Sequence, residues 1–320
     1  MRPPAGYVAR PATWDDLDAV VDVFKACDLA DVGFVDPARD HIEDDWRSTT
    51  YDLGRDSAGR NHGRRGGRVR VGRWLRSLAV TRDVRARPSR PSGPRHRRRD
   101  RLVGEAHALE LSRSVPVVRS SVPATDAAAR ELLERAGYAP VRTFWHMTRD
   151  LGSGIEPSPH VPGVEIRGYD HAADVRPTFD ALEEAFADHW APEPYPYEQR
   201  ERDLAETDAR LVAVAEVDGE VVGVAVGRTI EGDGWVDVIG VRAPWRGCGI
   251  ARALLLRVLA GLAALGATSA TLNVDAENIT GATRLYEAAG MHVHRAWFVF
   301  EKRFGGARLV AEGGGTGGTG

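Results

Sequence analysis

From about residue 163 onward, hydrophobic and polar positions follow periods that can be assigned element by element. "GVEIRGYD" (163–170) reads as a short strand. In 173–190, Val175, Phe179, Leu182 and Phe186 recur every three to four residues, the stripe of an amphipathic helix. "PYEQRERDLA" (196–205) predicts a second, shorter helix. The apolar runs 209–217 and 221–230 flank Asp218-Gly219, a dipeptide that favours a tight hairpin. A turn at 231–234 leads to a third strand over 235–241. A long apolar helix within 246–266 and a strand at 269–277 come next. A helix over 279–290 ended by Gly290, then a last strand at 291–302, close the order.

One junction in this order carries chemistry. Between the strand ending at Val241 and the apolar helix stands "RGCGIA" (246–251). Glycines let a backbone approach a ligand closely, and the unpaired N–H groups at a helix start attract phosphate. Two glycines before a helix also occur in many structural turns. The neighbouring residues narrow the reading. "VRAPWRGCGIARALL" together with "NVDAENITGATRLYEAAGM" resembles the acetyl-CoA-dependent N-acetyltransferase (GNAT) superfamily. The first piece matches its Arg/Gln-x-x-Gly-x-Gly/Ala pyrophosphate loop. The second matches Asn-x-x-Ala-x-x-Leu-Tyr-x-x-x-Gly-Phe, with Met291 in place of Phe.

The resemblance implies a mixed α+β sheet and transfer of an acyl group, most often acetyl, from coenzyme A to an amine. Main-chain groups of Ile239, Gly240 and Val241 would hold the pantetheine arm and the thioester carbonyl, where negative charge grows during attack. The backbone of Arg246, Gly247, Cys248, Gly249, Ile250 and Ala251 would cradle the pyrophosphate, and Asn278 would bond to the cofactor arm. Tyr286 is the position from which the family protonates the departing thiolate; packing on the helix's apolar face is the plainer alternative. The family often carries a basic Glu where this chain has Trp235. Asp237, two residues on, is the alternative base, with a solvated or structural Asp as the plain reading.

Other candidates are weighed in the same way. His189, Trp190, Tyr195 and Tyr197, around a proline-rich connection, could line an acceptor pocket or pack the turn. Cys248 falls beside phosphates and far from the thioester, so it reads as a loop residue and not a nucleophile. His292 and His294 share a strand face without a third ligand at suitable spacing, so no metal is expected.

The first half repeats the second. "AAARELLERAGYAPVRTFWHMTRDL" (127–151) parallels 280–304 at an offset of 153, with Gly137 matching Gly290 and Leu133 matching Tyr286. "YVARPATWDDLDAVVDVFKACDLA" (7–30) parallels the strand and helix beginning near Val164. Tandem copies of this kind resemble the mycothiol synthase group of acetyltransferases, in which the C-terminal copy is active. The expected division is a degenerate GNAT-like domain at 1–151 with an irregular Arg-rich segment over 55–120, a linker at 152–162, an intact domain at 163–304 and a flexible tail at 305–320. The fold class is therefore a mixed α/β sheet protein with two tandem GNAT-like domains, the first disrupted in its middle.

Composition and charge qualify this picture in two ways. The 320 residues, 42% hydrophobic and 28% charged, describe a globular protein with room for two domains. With two cysteines, no signal-peptide pattern and no apolar run of the roughly 20 residues a membrane helix needs, the sequence reads as cytoplasmic. The net charge of −3 conceals an uneven distribution: residues 55–101 hold 17 Arg against three Asp, and the twin of the phosphate loop should fall near 93–98, at "GPRHRR". Three readings compete for this tract. It could be a basic arm for nucleic acid, although it interrupts a fold and offers only Trp74 for stacking. It could be a tolerated disordered insertion. It could also be a stretch translated out of frame: a permitted codon choice for Pro94–Leu102, read one base later, spells Arg-Gly-Thr-Gly-Val-Gly-Thr-Ala. Nucleic acid is accordingly an unfavoured partner, and the expected partner is a small-molecule amine that attacks acetyl-CoA directly in a ternary complex. Protein N-terminal or lysine acetylation, and a catalytically inactive binding protein, are the alternatives.

Overall fold

The computed structural model describes residues 7–10, 12–22, 25, 38–47, 57–62, 70–73, 117–190, 195–230, 232–278 and 280–303. Most of the Arg-rich tract, including the expected loop twin at 93–98, and the tail from 304 lie outside the described residues.

In the N-terminal part, β1 (Tyr7–Arg10), β2 (Ser57–His62) and β3 (Arg70–Arg73) form an antiparallel sheet in the order β1-β2-β3. Two of these strands therefore fall inside the segment expected to be irregular. Helix α1 (Ala38–Arg47) buries Ile42 with Leu17, Val20 and Val21, and Trp46 packs against them.

An eight-stranded sheet organises the rest. Its strands are β4 (Val117–Pro123), β5 (Ala139–Asp150), β6 (Glu165–Gly168), β7 (Val212–Val217), β8 (Glu220–Ile230), β9 (Asp233–Val241), β10 (Ser269–Asp275) and β11 (His292–Arg303). The order across the sheet is β4-β11-β5-β10-β9-β8-β7-β6. Only β9 and β10 run parallel among these neighbours. The β7–β8 hairpin turns on Asp218 (φ 49°) and Gly219 (φ 82°), the two positive φ values of the type I′ turn expected of Asp-Gly.

Helices cover both faces of the β6–β10 half. Helix α3 (His171–Phe186) begins at Asp170, whose side chain accepts from the Ala172 amide, and packs beside α4 (Tyr197–Glu206) on one face. A Cβ at Gly240 would lie 2.8 Å from Leu182, so α3 rests directly on the β9 backbone. On the opposite face lies α5 (Ile250–Ala264), whose Leu254, Leu255, Leu256, Leu259 and Leu262 are all fully enclosed. Contact there is closest at Gly227, where a Cβ would stand 2.6 Å from Val258. Helix α6 (Ala282–Ala288) follows β10 on the α5 face, and α2 (Ala127–Arg135) follows β4.

The repeat seen in the sequence is physical. Helix α2 closes with Gly137 N donating to Glu134 O and Tyr138 N to Leu133 O; α6 closes with Gly290 N to Glu287 O and Met291 N to Tyr286 O. Gly137 and Gly290 both adopt left-handed φ, +82° and +78°, as such helix ends require. Strand pairing repeats too. Trp297 pairs with Pro123 and Arg303 with Val117; correspondingly, Phe144 pairs with Asp275 and Asp150 with Ser269. Between these pairs Trp297 faces Phe144, its own counterpart. Each copy's last strand therefore crosses into the other copy's sheet, and β5 sits where it separates β10 from β11. Helix α2 packs Leu133 against Val118, Val122, Tyr138 and Phe300, so this apolar cluster draws on both copies.

Candidate active site

The parallel strands β9 and β10 pair only at Gly234↔Ala270 and Trp235↔Thr271, then separate. Beyond Trp235, the β10-facing backbone groups of β9 have no strand partner among the described residues. Such groups need one. The cleft opens toward the ends of both strands, where the loop 246–249 and the start of α5 stand.

Gly247 (φ +79°) and Gly249 (φ +86°) are both left-handed, and a Cβ at either would meet nothing within 4 Å. Backbone conformation requires these glycines, and space remains beside them. Gly249 is the N-cap of α5 and offers no side-chain acceptor, so the first amides of the helix point outward without a cap. The Arg246 side chain fastens this loop: its Nε donates to Val241 O at 3.1 Å and Nη2 to Ala185 O at 2.8 Å. Arg246 thus ties β9, the loop and α3 together, a role the sequence motif did not disclose. Cys248 is exposed on the same loop. A phosphate-bearing arm fits this place: open Cβ positions, uncapped amides and an unpaired strand edge lie in one line.

Across the cleft, Asn278 accepts from the Thr280 amide at 2.7 Å, which turns the chain into α6 and leaves its side-chain NH2 as the donor it can offer. Tyr286 is buried on α6 within the cluster that includes Met147, Leu272, Val274 and Ile250. Burial pushes its phenol up to about 12, so it keeps its proton at neutral pH. Leu133 holds the matching place in the first copy, equally buried but without a hydroxyl.

Asp237 falls at a β-bulge, because Val226 pairs with Val238 while Gly227 pairs with Val236. Its carboxylate meets Arg228 Nε at 2.9 Å. Arg228 pairs with Trp235, so Asp237 and Trp235 look out on the α3 face.

The α3–α4 connection divides the four acceptor candidates. His189 stacks near Phe186 at 5.6 Å, and Trp190 lies over strands of the first copy: 6.4 Å from Phe144, with the Arg119 and Arg142 guanidinia 4.7 and 5.3 Å from its ring. Tyr195 donates its hydroxyl to Asp203, and Arg200 covers its ring at 4.0 Å. Burial first, then this bond to Asp203, raises its pKa. Tyr197 packs edge-on against Phe179 at 5.3 Å and under Arg176, bracing α3 to α4 away from Trp190. His292 and His294 lie on β11, and among the described residues no cluster of three His, Cys, Asp or Glu side chains forms there or elsewhere. Among the same residues no helix is long and apolar enough to cross a membrane.

Sequence reasoning passed over one group in this region, His146. It lies between Trp235 (5.2 Å) and Trp297 (5.4 Å) on the α3 face. A single histidine in an apolar strand carries no motif. Only the pairing of β5 with β10 shows where it stands.

Fold and cleft define the class: an α/β protein with a glycine loop and a helix N-terminus at the mouth of two parting parallel strands. Residues 175–291 match the acetyltransferase (GNAT) family. The chain is similar to a mycothiol acetyltransferase of Thermobispora bispora, 35% identical over 173 residues, which cover 51% of this chain and 58% of the relative. The match thus spans little more than half of that relative's length. The whole chain is similar to a GCN5-related N-acetyltransferase of Sphaerobacter thermophilus, with a TM-score of 0.77, 28% identity and coverage of 94% and 97% of the two chains. A tandem GNAT protein from the clavulanic acid biosynthesis pathway shares the fold, with a TM-score of 0.59 and 15% identity over 93% of this chain and 98% of that one.

Proposed function

We propose that the protein is an N-acetyltransferase that moves an acetyl group from acetyl-CoA to a primary amine of a small molecule, by direct attack in a ternary complex. The observation that carries this reading is the opening of β9 from β10 beside Gly247 and Gly249. Bound acetyl-CoA supplies the thioester that the amine attacks. The backbone of Arg246–Ala251 holds the pyrophosphate, Ile239, Gly240 and Val241 hold the arm and the carbonyl oxygen, and Asn278 holds the arm from the other side. Tyr286 donates its proton to the departing sulfur. Asp237, on the acceptor side, attracts the ammonium form of the amine, and His189, Trp190 and Tyr195 shape the acceptor's surroundings; Tyr197 supports them through α4. Relatives named for acetylating mycothiol support a small-molecule acceptor. We further propose a tandem division near 151–163, with the working site in 163–304 and the first copy lacking the acid at Leu133.

The test combines binding and turnover. Acetyl-CoA is expected to raise the melting temperature, by about 3 kcal/mol of added stability at a hundredfold excess over Kd. Labelled acetyl-CoA is expected to pass its label to at least one member of an amine panel. Tyr286→Phe is expected to keep the melting shift while turnover falls by about 100-fold or more. Absence of any acetyl-CoA effect on melting, together with no transfer, rejects the reading.

A further inference from the structure

Strand β5 belongs to the first copy, yet it places a side chain at the apex of the second copy's cleft. His146 pairs in register with Asn273 of β10, two residues beyond Thr271, the last β10 residue paired with β9. It therefore stands at the level where the strands begin to part. Trp235, the last β9 residue paired with β10, meets its ring edge-on at 5.2 Å.

We propose that His146 is the catalytic base of the acetyl transfer, taking the proton from the attacking amine; this rests on the acetyltransferase reading above. Three observations converge on it. First, His146 is only 5% exposed, yet among the described residues its ring makes no hydrogen bond and lies against the Trp235 and Trp297 rings. A histidine held for structure at such burial is ordinarily tied to a carbonyl or carboxylate. Its nitrogens are also absent from the buried side-chain atoms that lack any partner, so they retain contact with solvent. Second, His146 and its neighbour Met147 point to opposite faces of β5, and Met147 packs in the cluster containing Tyr286. The acid therefore reaches the cleft from the α5 face and His146 from the α3 face, the side of Trp190, Tyr195 and Asp237. Third, the competing carboxylate, Asp237, is engaged by Arg228.

Protonation state agrees with the geometry. Burial foremost, with Arg295 and His294 of β11, pushes the imidazole down to about 4, so it reaches neutral pH with an unprotonated nitrogen. In the step, the amine nitrogen forms its bond to the acetyl carbon as the carbon–sulfur bond breaks. The nitrogen's proton passes to His146, directly or through one water, and the Tyr286 proton passes to the leaving sulfur. The imidazolium then loses its proton to solvent and the phenolate regains one, which restores both groups.

The experiment uses the full chain, acetyl-CoA and the best amine found in the panel. His146→Gln and His146→Ala are expected to keep the acetyl-CoA melting shift and the KM for acetyl-CoA, while kcat falls by about 100-fold or more. Added imidazole is expected to restore part of the turnover of His146→Ala and none of that of His146→Gln, whose amide fills the space. A structural role would not respond to imidazole. Turnover within about threefold of wild type in either folded variant overturns the proposal. So does a loss of kcat that imidazole leaves untouched in His146→Ala, or loss of the melting transition in both variants. An inactive wild type that transfers no label rejects the acetyltransferase reading and carries this inference with it; an active wild type with unaffected variants rejects the inference alone.

Discussion

Burial beside the Trp235 and Trp297 rings costs the His146 imidazole most of its hydration, and it takes up a proton only near pH 4 in place of the usual 6.5. Arg295 and His294 act in the same direction as burial. Between those two values the unfolded chain binds a proton that the folded chain does not. The stabilisation is complete above pH 6.5, declines as pH falls toward 4, and is gone below it. A shift of this size corresponds to about 3 kcal/mol. Wild-type melting temperature is therefore expected to fall between pH 6.5 and 4, and His146→Gln is expected to flatten that decline. Equal pH slopes in the two proteins would show that the ring already titrates normally. Tyr286 faces the opposite way: burial strengthens its hold on a proton, the property a donor to sulfur needs at neutral pH.

At the scale of elements, the start of α5 is the most demanding local structure. Gly249 is at φ +86°, a conformation L side chains rarely adopt, and it caps a helix without a side-chain acceptor. Gly249→Asp adds both backbone strain and a negative charge where phosphate is expected. It is expected to lose the acetyl-CoA melting shift altogether and to lower ligand-free stability by about 1–3 kcal/mol, a pair of effects that thermal melts with and without acetyl-CoA separate. This loop was legible in the sequence because its signal is local: two glycines, a preceding strand, a following apolar helix. So were the Asp218-Gly219 hairpin and the helix over 171–186, which rest on dipeptide chemistry and a 3.6-residue stripe. Neither the bulge at Asp237 nor the position of β5 can be read this way. A bulge depends on the partner's register, and 139–150 shows mostly half-buried positions on both faces, which gives no alternation to read. β4 begins at Val117 within a stretch whose arginines masked the pattern, and its pairing partner lies about 180 residues away. The fold of 163–303 was thus available from periodicity and motif. His146 was not, because its meaning is set by which strand lies beside it.

For the whole molecule, the exchanged strands make the two copies interdependent. Within the described sheet β11 pairs with β4 and β5 alone, and β10 is joined on that side only by β5. Arg119 of β4 and Glu301 of β11, both buried, are held at 2.9 Å across the exchange. Removing residues 1–151 strips β11 of both neighbours and uncovers Met291, Leu272, Val274 and Phe300 where Met147, Val118 and Val122 had closed over them. Exposing even four such side chains forfeits about 1.5–3 kcal/mol each, against a total domain stability of about 5–15 kcal/mol. The same cut removes Arg119 and leaves Glu301 with Arg303 alone, and it presents the unpaired edges of β10 and β11 to other molecules. A chain beginning at residue 152 is therefore expected to lack a cooperative melting transition and to associate through β10 and β11, although it retains Gly247, Gly249, Asn278 and Tyr286. The intact protein is expected to melt as one unit. Calorimetry and sedimentation of the two proteins decide the matter: a monomeric 152–320 fragment with its own sharp transition and an undiminished acetyl-CoA shift would mean that β11 can close directly on β10, and that the first copy contributes neither structure nor a base to the cleft.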